Sequence, residues 1–153
     1  MPARKLKEFL DKQGVKYVSI THSPAYTAQE VAASAHIPGK EMAKTVMVKI
    51  NGKLAMAVLP ANCKVVVQDL RDITGDDAVT LASEAEFQNA FPDCEPGAMP
   101  PFGNLYGIDV YVAPSLGEHD EIAFNAGTHT EIIRMAYADF ERLVQPRVAS
   151  FST

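Results

Sequence analysis

Tryptophan is absent from the 153 residues and cysteine occurs only twice, at Cys63 and Cys94, far apart and outside any C-x-x-C spacing. That excludes a disulfide framework and a zinc site built from cysteines alone, and it makes a reducing cytoplasm the expected compartment. No apolar run approaches the ~20 residues a bilayer-spanning helix needs. The first twelve residues are charged and amphipathic without an apolar centre, so no signal peptide is expected and no membrane partner either. Nucleotide and protease signatures are missing as well: there is no G-x-G-x-x-G, G-x-x-x-x-G-K-[ST], G-x-S-x-G or H-E-x-x-H. His119-Asp120-Glu121 holds metal-capable groups, but strand neighbours point to opposite faces, so the expectation is no metal and no cofactor.

What is present is an ordinary globular composition, 47% hydrophobic and 22% charged, sized for one domain. The net charge of −5 is unevenly spread. Residues 1–53 hold nine Lys/Arg against four acids, and the acidic surplus lies after them. An acidic total argues against bulk affinity for duplex DNA, yet leaves room for a small basic face, Arg4 to Lys16 with Lys40, that touches one end of an RNA. Lysines merely solvated on a surface would give the same counts.

Apolar Leu6, Phe9 and Leu10 predict a first helix stopped near Gly14. Val15–Thr21 reads as a strand. Thr27 and Glu30 form a capping-box pattern that opens a second helix to about Ala35. Strands near Lys44–Ile50 and Leu54–Leu59 flank Asn51-Gly52, a strong hairpin signal. Residues 65–73 are ambiguous, leaning helical from Asp69. A short strand at Ala78–Leu81 precedes a third helix from Ser83 to about Phe91. Strands near Ile108–Val112, Glu121–Phe124 and Glu131–Met135 lead to a closing helix, Tyr137–Leu143. We expect one α+β (mixed α/β) domain over residues 1–146, with a curved sheet, and a frayed C-terminal tail over 147–153.

Three places carry possible chemistry. Lys44 shares strand parity with Val46, Val48 and Ile50, the face that looks buried, while Thr45 and Lys49 point the other way. A cation entering an apolar face needs compensation, loss of its proton, or a pocket holding an anion or carbonyl; otherwise it is a strand-end lysine that snorkels to water. The segment Pro96-Gly97-Ala98-Met99-Pro100-Pro101-Phe102-Gly103 is a stiff loop whose N–H groups at Gly97, Ala98 and Met99 suit a developing oxyanion, or it is a plain surface connection. The turn Phe124-Asn125-Ala126-Gly127-Thr128-His129-Thr130 collects an amide, hydroxyls and an imidazole. His129 there, and His22 before Ser23-Pro24, are equally read as structural.

In this order, Thr27-Ala-Gln-Glu30-Val-Ala, Ala43-Lys44-Thr45-Val46, Val58-Leu-Pro60-Ala, Gly97-Ala-Met-Pro-Pro101-Phe-Gly103 and Phe124-Asn-Ala-Gly127 resemble the YbaK/prolyl-tRNA-synthetase-associated domain family. These are free-standing relatives of the editing (INS) domain of bacterial prolyl-tRNA synthetase, and the likeness runs from about Ala3 to Gln145. The resemblance implies a mostly antiparallel, barrel-like sheet flanked by helices. It implies trans-editing, the hydrolysis of the ester joining a wrong amino acid to the 3′ adenosine of a tRNA. Mapped onto this chain, Lys44 matches the essential lysine and Gly97 to Pro101 the loop that contacts the aminoacyl group. Asn125, Gly127 and His129 fall in the turn lining the same pocket. The implied catalytic residues are Lys44 and Gly97, and the implied substrate-binding residues are Ala98, Met99, Pro101, Asn125, Gly127, His129 and His22. Met47, Met56, Met99 and Phe102 are candidate walls selecting a small amino acid such as alanine, on proline tRNA among others. The expected partners are the 3′ end and acceptor stem of a mischarged tRNA, with a synthetase as a further candidate. A non-catalytic tRNA- or synthetase-binding module and a small-molecule esterase are the rival readings.

Overall fold

The computed structural model describes residues 4–153. Helix α1 (Arg4–Lys12) leads to β1 (Tyr17–Thr21), α2 (Ala28–Ser34), β2 (Ala43–Ile50), β3 (Lys53–Pro60), α3 (Val67–Thr74), β4 (Val79–Leu81) and the single-turn α4 (Glu84–Phe87). After the proline-rich loop come β5 (Asp109–Val112), β6 (Glu121–Asn125), β7 (Glu131–Ala136), α5 (Tyr137–Val144) and β8 (Arg147–Val148). The mixed α+β class is as expected. No helix among the described residues is long and apolar enough to cross a membrane.

Local chemistry explains most boundaries. Thr27 caps α2, its hydroxyl accepting from Glu30 N while Glu30 Oε1 accepts from Thr27 N, both at 3.1 Å. Asn51 and Gly52 take φ of 52° and 81°, which closes the β2–β3 hairpin with the twist its strands require. The ambiguous stretch is helical from Val67, and Gly75 ends it in the left-handed region at φ 70°. The third helix is shorter than its capping box suggests, passing into a 3-10 turn at Gln88–Ala90.

The strands form two sheets. β1-β7-β6 is antiparallel throughout; β4-β2-β3-β5-β8 is antiparallel from β4 to β3 and parallel from β3 to β8. The sheets touch at one parallel bridge, Met42 to Ala123, where Ala123 N donates to Glu41 O at 3.0 Å. Beyond it β2 and β6 make no further pairing, so the two sheets do not close into a barrel and the barrel-like expectation holds only in a loose sense.

Two further expectations are corrected. Strand β2 has no single buried face. Ala43 and Met47 pack with Met56, Phe102, Phe124 and α1 and α5 on one side, while Val48 packs with Ala57, Leu59, Leu70 and Phe151 on the other. The C-terminal residues are not frayed: β8 pairs with β5, Val65 bridges Ser152, and Phe151 is fully buried beside α3. Burying the Phe151 ring is worth roughly 1.5–3 kcal/mol and holds the segment together with the β8 pairing.

Gly103 sits where two backbones nearly touch. A Cβ there would lie 2.3 Å from Ile108 O and 2.7 Å from Val110 Cγ2, and Gly103 O accepts the N–H groups of Tyr106 and Ile108. Gly103→Ala should therefore cost about 3 kcal/mol, read as a drop in the urea midpoint. An unchanged midpoint would show that this loop relaxes freely.

Candidate active site

Lys44 stands where the two sheets part. Met42 and Ala123 are bridged in parallel, and Lys44 and Asn125 each lie two residues past that bridge, where β2 and β6 are no longer paired. Alternation puts both on the face of Met42 and Ala123, which belong to the apolar cluster under α2 with Val31, Ala32 and Ile132. Val46 and Val48, next on that face of β2, belong to the cluster under α3. Lys44 lies at the seam between the two clusters and belongs to neither.

The seam opens as a cleft of about 260 Å³ lined by Lys44, Lys64, Cys63, Asn62, Thr27 and Gln29 among others. No acidic side chain lines it. Partial burial lowers the Lys44 pKa below the ordinary lysine value, Cys63 opposes that fall, and the like charge of Lys64 adds to it. Lys49, on the opposite face of β2, makes the contrast: it meets Glu86 at 2.7 Å and, as the largest cause, helps hold that carboxyl at about 2. One strand carries a compensated lysine and an uncompensated one.

The Gly97 loop closes the other side of Asn125. Beyond Asn125 the chain of β6 continues to Gly127, whose N–H donates to Ala98 O at 2.9 Å and whose carbonyl accepts from Glu95 N at 2.8 Å. The loop thus takes the place beside β6 that β2 vacates. His129 locks it further: its backbone N–H donates to Glu95 Oε1 at 2.8 Å, and its Nε2 lies 2.9 Å from Pro96 O. Gly97 adopts φ of 83°, and an added Cβ would meet only His129 Cε1 at 3.7 Å. Backbone conformation, not crowding, is what requires glycine there.

This geometry refines the expected donor set. The Ala98 N–H is committed to Glu95 O at 3.0 Å, which leaves Gly97 and Met99 as the loop's free N–H groups among the described residues. Ala98, Met99 and Pro101 are buried as whole residues, backbone included, and Gly97 is the exposed point of the loop. Met47, Met56 and Phe102 lie in the main core, on the sheet face opposite Lys44, and do not line its cleft.

Among the described residues, four buried side-chain atoms lack a hydrogen-bond partner: His22 Nε2, Asn125 Oδ1, His129 Nδ1 and Arg71 Nε. The first three lie on residues the sequence singled out. His22 Nδ1 lies 2.7 Å from Ser23 O and donates to it, which in a neutral imidazole leaves Nε2 an acceptor. The Pro96 contact makes His129 Nδ1 an acceptor by the same logic. An orphaned buried polar group costs about 1–3 kcal/mol, and three on adjoining segments mark a place kept for a partner with N–H or O–H donors. The segments adjoin through His22 N to Thr130 O at 2.8 Å and Ala25 N to His129 O at 3.2 Å.

Sequence reasoning missed Tyr26, Glu95 and Lys64. Tyr26 is 71% exposed and lies 4.9 Å from the His129 ring. Its position next to the Thr27 capping box was the available signal; Glu95 and Lys64 carried none. The basic N-terminal face is also largely spoken for: Arg4 pairs with Glu8 at 3.0 Å, Lys7 with Glu131 at 2.9 Å, and Lys5 lies over the Tyr106 ring.

Residues 22–143 match the family model described as the aminoacyl-tRNA editing domain, a span that contains every candidate site residue. The multifunctional Ser/Thr-tRNA deacylase ProXp-y of Escherichia coli K12 is 28% identical over 153 residues, covering 97% of this chain and 91% of that one. Two solved structures share the fold. The hypothetical protein APE2540 matches with a TM-score of 0.87 at 20% identity, over 98% of this chain and 100% of its own. A candidate trans-editing enzyme for prolyl-tRNA synthetase matches with a TM-score of 0.83 at 18% identity, over 99% and 96%. With four-fifths of its length matched, and with the lysine, the loop and the turn that first suggested it, the chain belongs to the aminoacyl-tRNA editing domain family.

Proposed function

We propose that this protein is a trans-editing aminoacyl-tRNA deacylase, which hydrolyses the ester between a small mischarged amino acid and the terminal adenosine of a tRNA. The observation that carries the reading is the uncompensated Lys44 in a cleft that no acidic side chain among the described residues lines. Asn125 and the Gly97 loop do not line that cleft but follow along β6, from the Met42–Ala123 bridge to the Gly127–Ala98 hydrogen bond. Water adds to the ester carbonyl, the ribose oxygen departs and takes up a proton, and free amino acid and intact tRNA result. An aminoacyl ester is already activated, so orientation and charge stabilisation suffice and no serine or cysteine nucleophile is needed. Lys44 supplies the positive charge, the Gly97 and Met99 N–H groups receive the developing oxyanion, and Asn125 lies between them. The unpartnered acceptors of His22, Asn125 and His129 suit an acyl group that carries donors, as every aminoacyl ester does in its α-ammonium. Two unpaired cysteines fit a cytoplasmic site of action.

The test is a panel of tRNAs, proline tRNA included, each charged with alanine, serine, threonine or cysteine. Release of free amino acid with the 3′ end intact is the expected result. Binding without release would make the protein a non-catalytic module, and equal cleavage of simple esters without tRNA would make it a general esterase.

The Lys44 environment adds a pH prediction. A lowered pKa means the ammonium loses its proton at a lower pH than an ordinary lysine. After subtraction of spontaneous ester hydrolysis, kcat/KM should fall on the alkaline side with an apparent pKa below 10.5. Lys64→Gln removes a like charge and should move that limb to higher pH. A limb that does not respond would assign it to another group.

A further inference from the structure

The cleft holds a second cation that the mechanism above does not use. Lys44 and Lys64 both line it, no carboxylate lines it, and none of the described residues forms an ion pair with either. Two like charges converging without a counter-charge leave a standing repulsion that a bound anion relieves.

Lys64 is not a loose surface lysine in its backbone. Its N–H donates to Thr153 O at 3.1 Å and its carbonyl accepts from Thr153 N at 3.0 Å. Val66 N donates to Phe151 O at 2.6 Å, with Phe151 buried in the α3 cluster. The docked C-terminal segment therefore fixes the stretch from which Lys64 reaches the cleft. Lys40 stands on the same rim, since Ala61 N donates to the adjacent Gly39 O at 3.2 Å and Gly39 faces the Asn62 side chain. Of the cations on α1, Arg4, Lys5 and Lys7 are engaged elsewhere, so most of that helix's charge is committed, whereas neither lysine lining this cleft is paired among the described residues.

We propose that Lys64 is a phosphate-positioning residue, holding the phosphate on the 5′ side of the terminal adenosine in this cleft, so that Lys44 is left to the ester. The inference rests on the deacylase reading for its substrate, while the anion seat itself rests on the two uncompensated lysines. One nucleotide carries both groups, the phosphate on its 5′ side and the acyl ester on its 2′/3′ side, and the cleft offers one cation to each. Lysine suits a phosphate as a point charge, with the polar rim of Thr27, Gln29 and Asn62 around it.

The experiment compares two minimal substrates, 3′-seryl adenosine and 3′-seryl adenosine 5′-monophosphate, on wild type, Lys64→Gln and Lys64→Arg. Wild type should favour the phosphorylated substrate by about tenfold in kcat/KM, expressed in KM. Lys64→Gln should lose that preference, its kcat/KM falling about tenfold more on the phosphorylated ester than on the unphosphorylated one, and Lys64→Arg should restore it. Equal losses on both substrates, or a preference untouched by Lys64→Gln, would overturn the assignment. Titration with 5′-AMP against adenosine, followed by NMR, gives a readout independent of turnover. If wild type releases no amino acid from mischarged tRNA but still binds 5′-AMP over adenosine through Lys64, the phosphate seat stands and the deacylase reading falls. If the two bind alike in wild type, the seat falls whatever the turnover.

Discussion

Lys44→Ala should lower the rate of amino acid release from mischarged tRNA by about 10²–10³-fold, the loss typical of deleting one group that stabilises an oxyanion. The fold should survive intact. Lys44 is partly buried without a carboxylate partner, and its lowered pKa records an environment that disfavours its charge. Removing it takes away a mild electrostatic burden rather than a structural tie, so the melting temperature should hold or rise slightly. That pairing of outcomes separates Lys44 from Lys49 on the same strand, whose loss breaks the 2.7 Å contact with Glu86 and leaves catalysis alone. A Lys44→Ala protein that melts normally and deacylates at close to the wild-type rate would end the mechanism proposed for this site.

Phe151→Ala should cost about 3–5 kcal/mol, the usual range for emptying a buried phenylalanine site. Phe151 is fully buried against Leu70, Val48, Leu59 and Ala57, so alanine leaves a void between α3 and the sheet. At about 2–4 °C per kcal/mol for a domain of this size, the melting temperature should drop by roughly 10 °C. A truly frayed tail would give a change within about ±0.5 kcal/mol, as surface substitutions do. The same substitution should loosen the Thr153–Lys64 hydrogen bonds and so raise KM for tRNA in the protein that is still folded.

Much of this architecture is written locally. The capping box at Thr27, the Asn51-Gly52 turn and the periodicity of Leu6, Phe9 and Leu10 each rest on neighbours in the chain, and each element forms where those residues place it. Features decided by distant contacts were illegible. Strand β8 has two residues and exists because β5 offers an edge, and the tail docks because Phe151 finds a site built from α3, β2 and β3. The parity of Lys44 was read correctly, but not that β2 is a central strand covered on both faces. For the same reason Met47 and Met56 do not wall the cleft, since alternation sends them to the far side of the sheet, where the loop residue Phe102 packs with them. The trio of loop donors lost Ala98 to a turn hydrogen bond that no sequence pattern announces. Lys64 escaped notice because its importance depends on the seam between two apolar clusters, a tertiary fact.

The central claim is that Lys44 and the Gly97 loop address one acyl ester from two sides of Asn125. The most direct measurement is NMR shift mapping with a non-hydrolysable analogue, adenosine bearing an aminoacyl group through an amide at the 3′ position. The account predicts saturable shifts at Lys44, Asn125 and the N–H groups of Gly97 and Met99, all with one dissociation constant. Shifts confined to the separate cleft between Asn104 and Gln145, or shifts at Lys44 that leave Gly97 and Met99 unmoved, would contradict it.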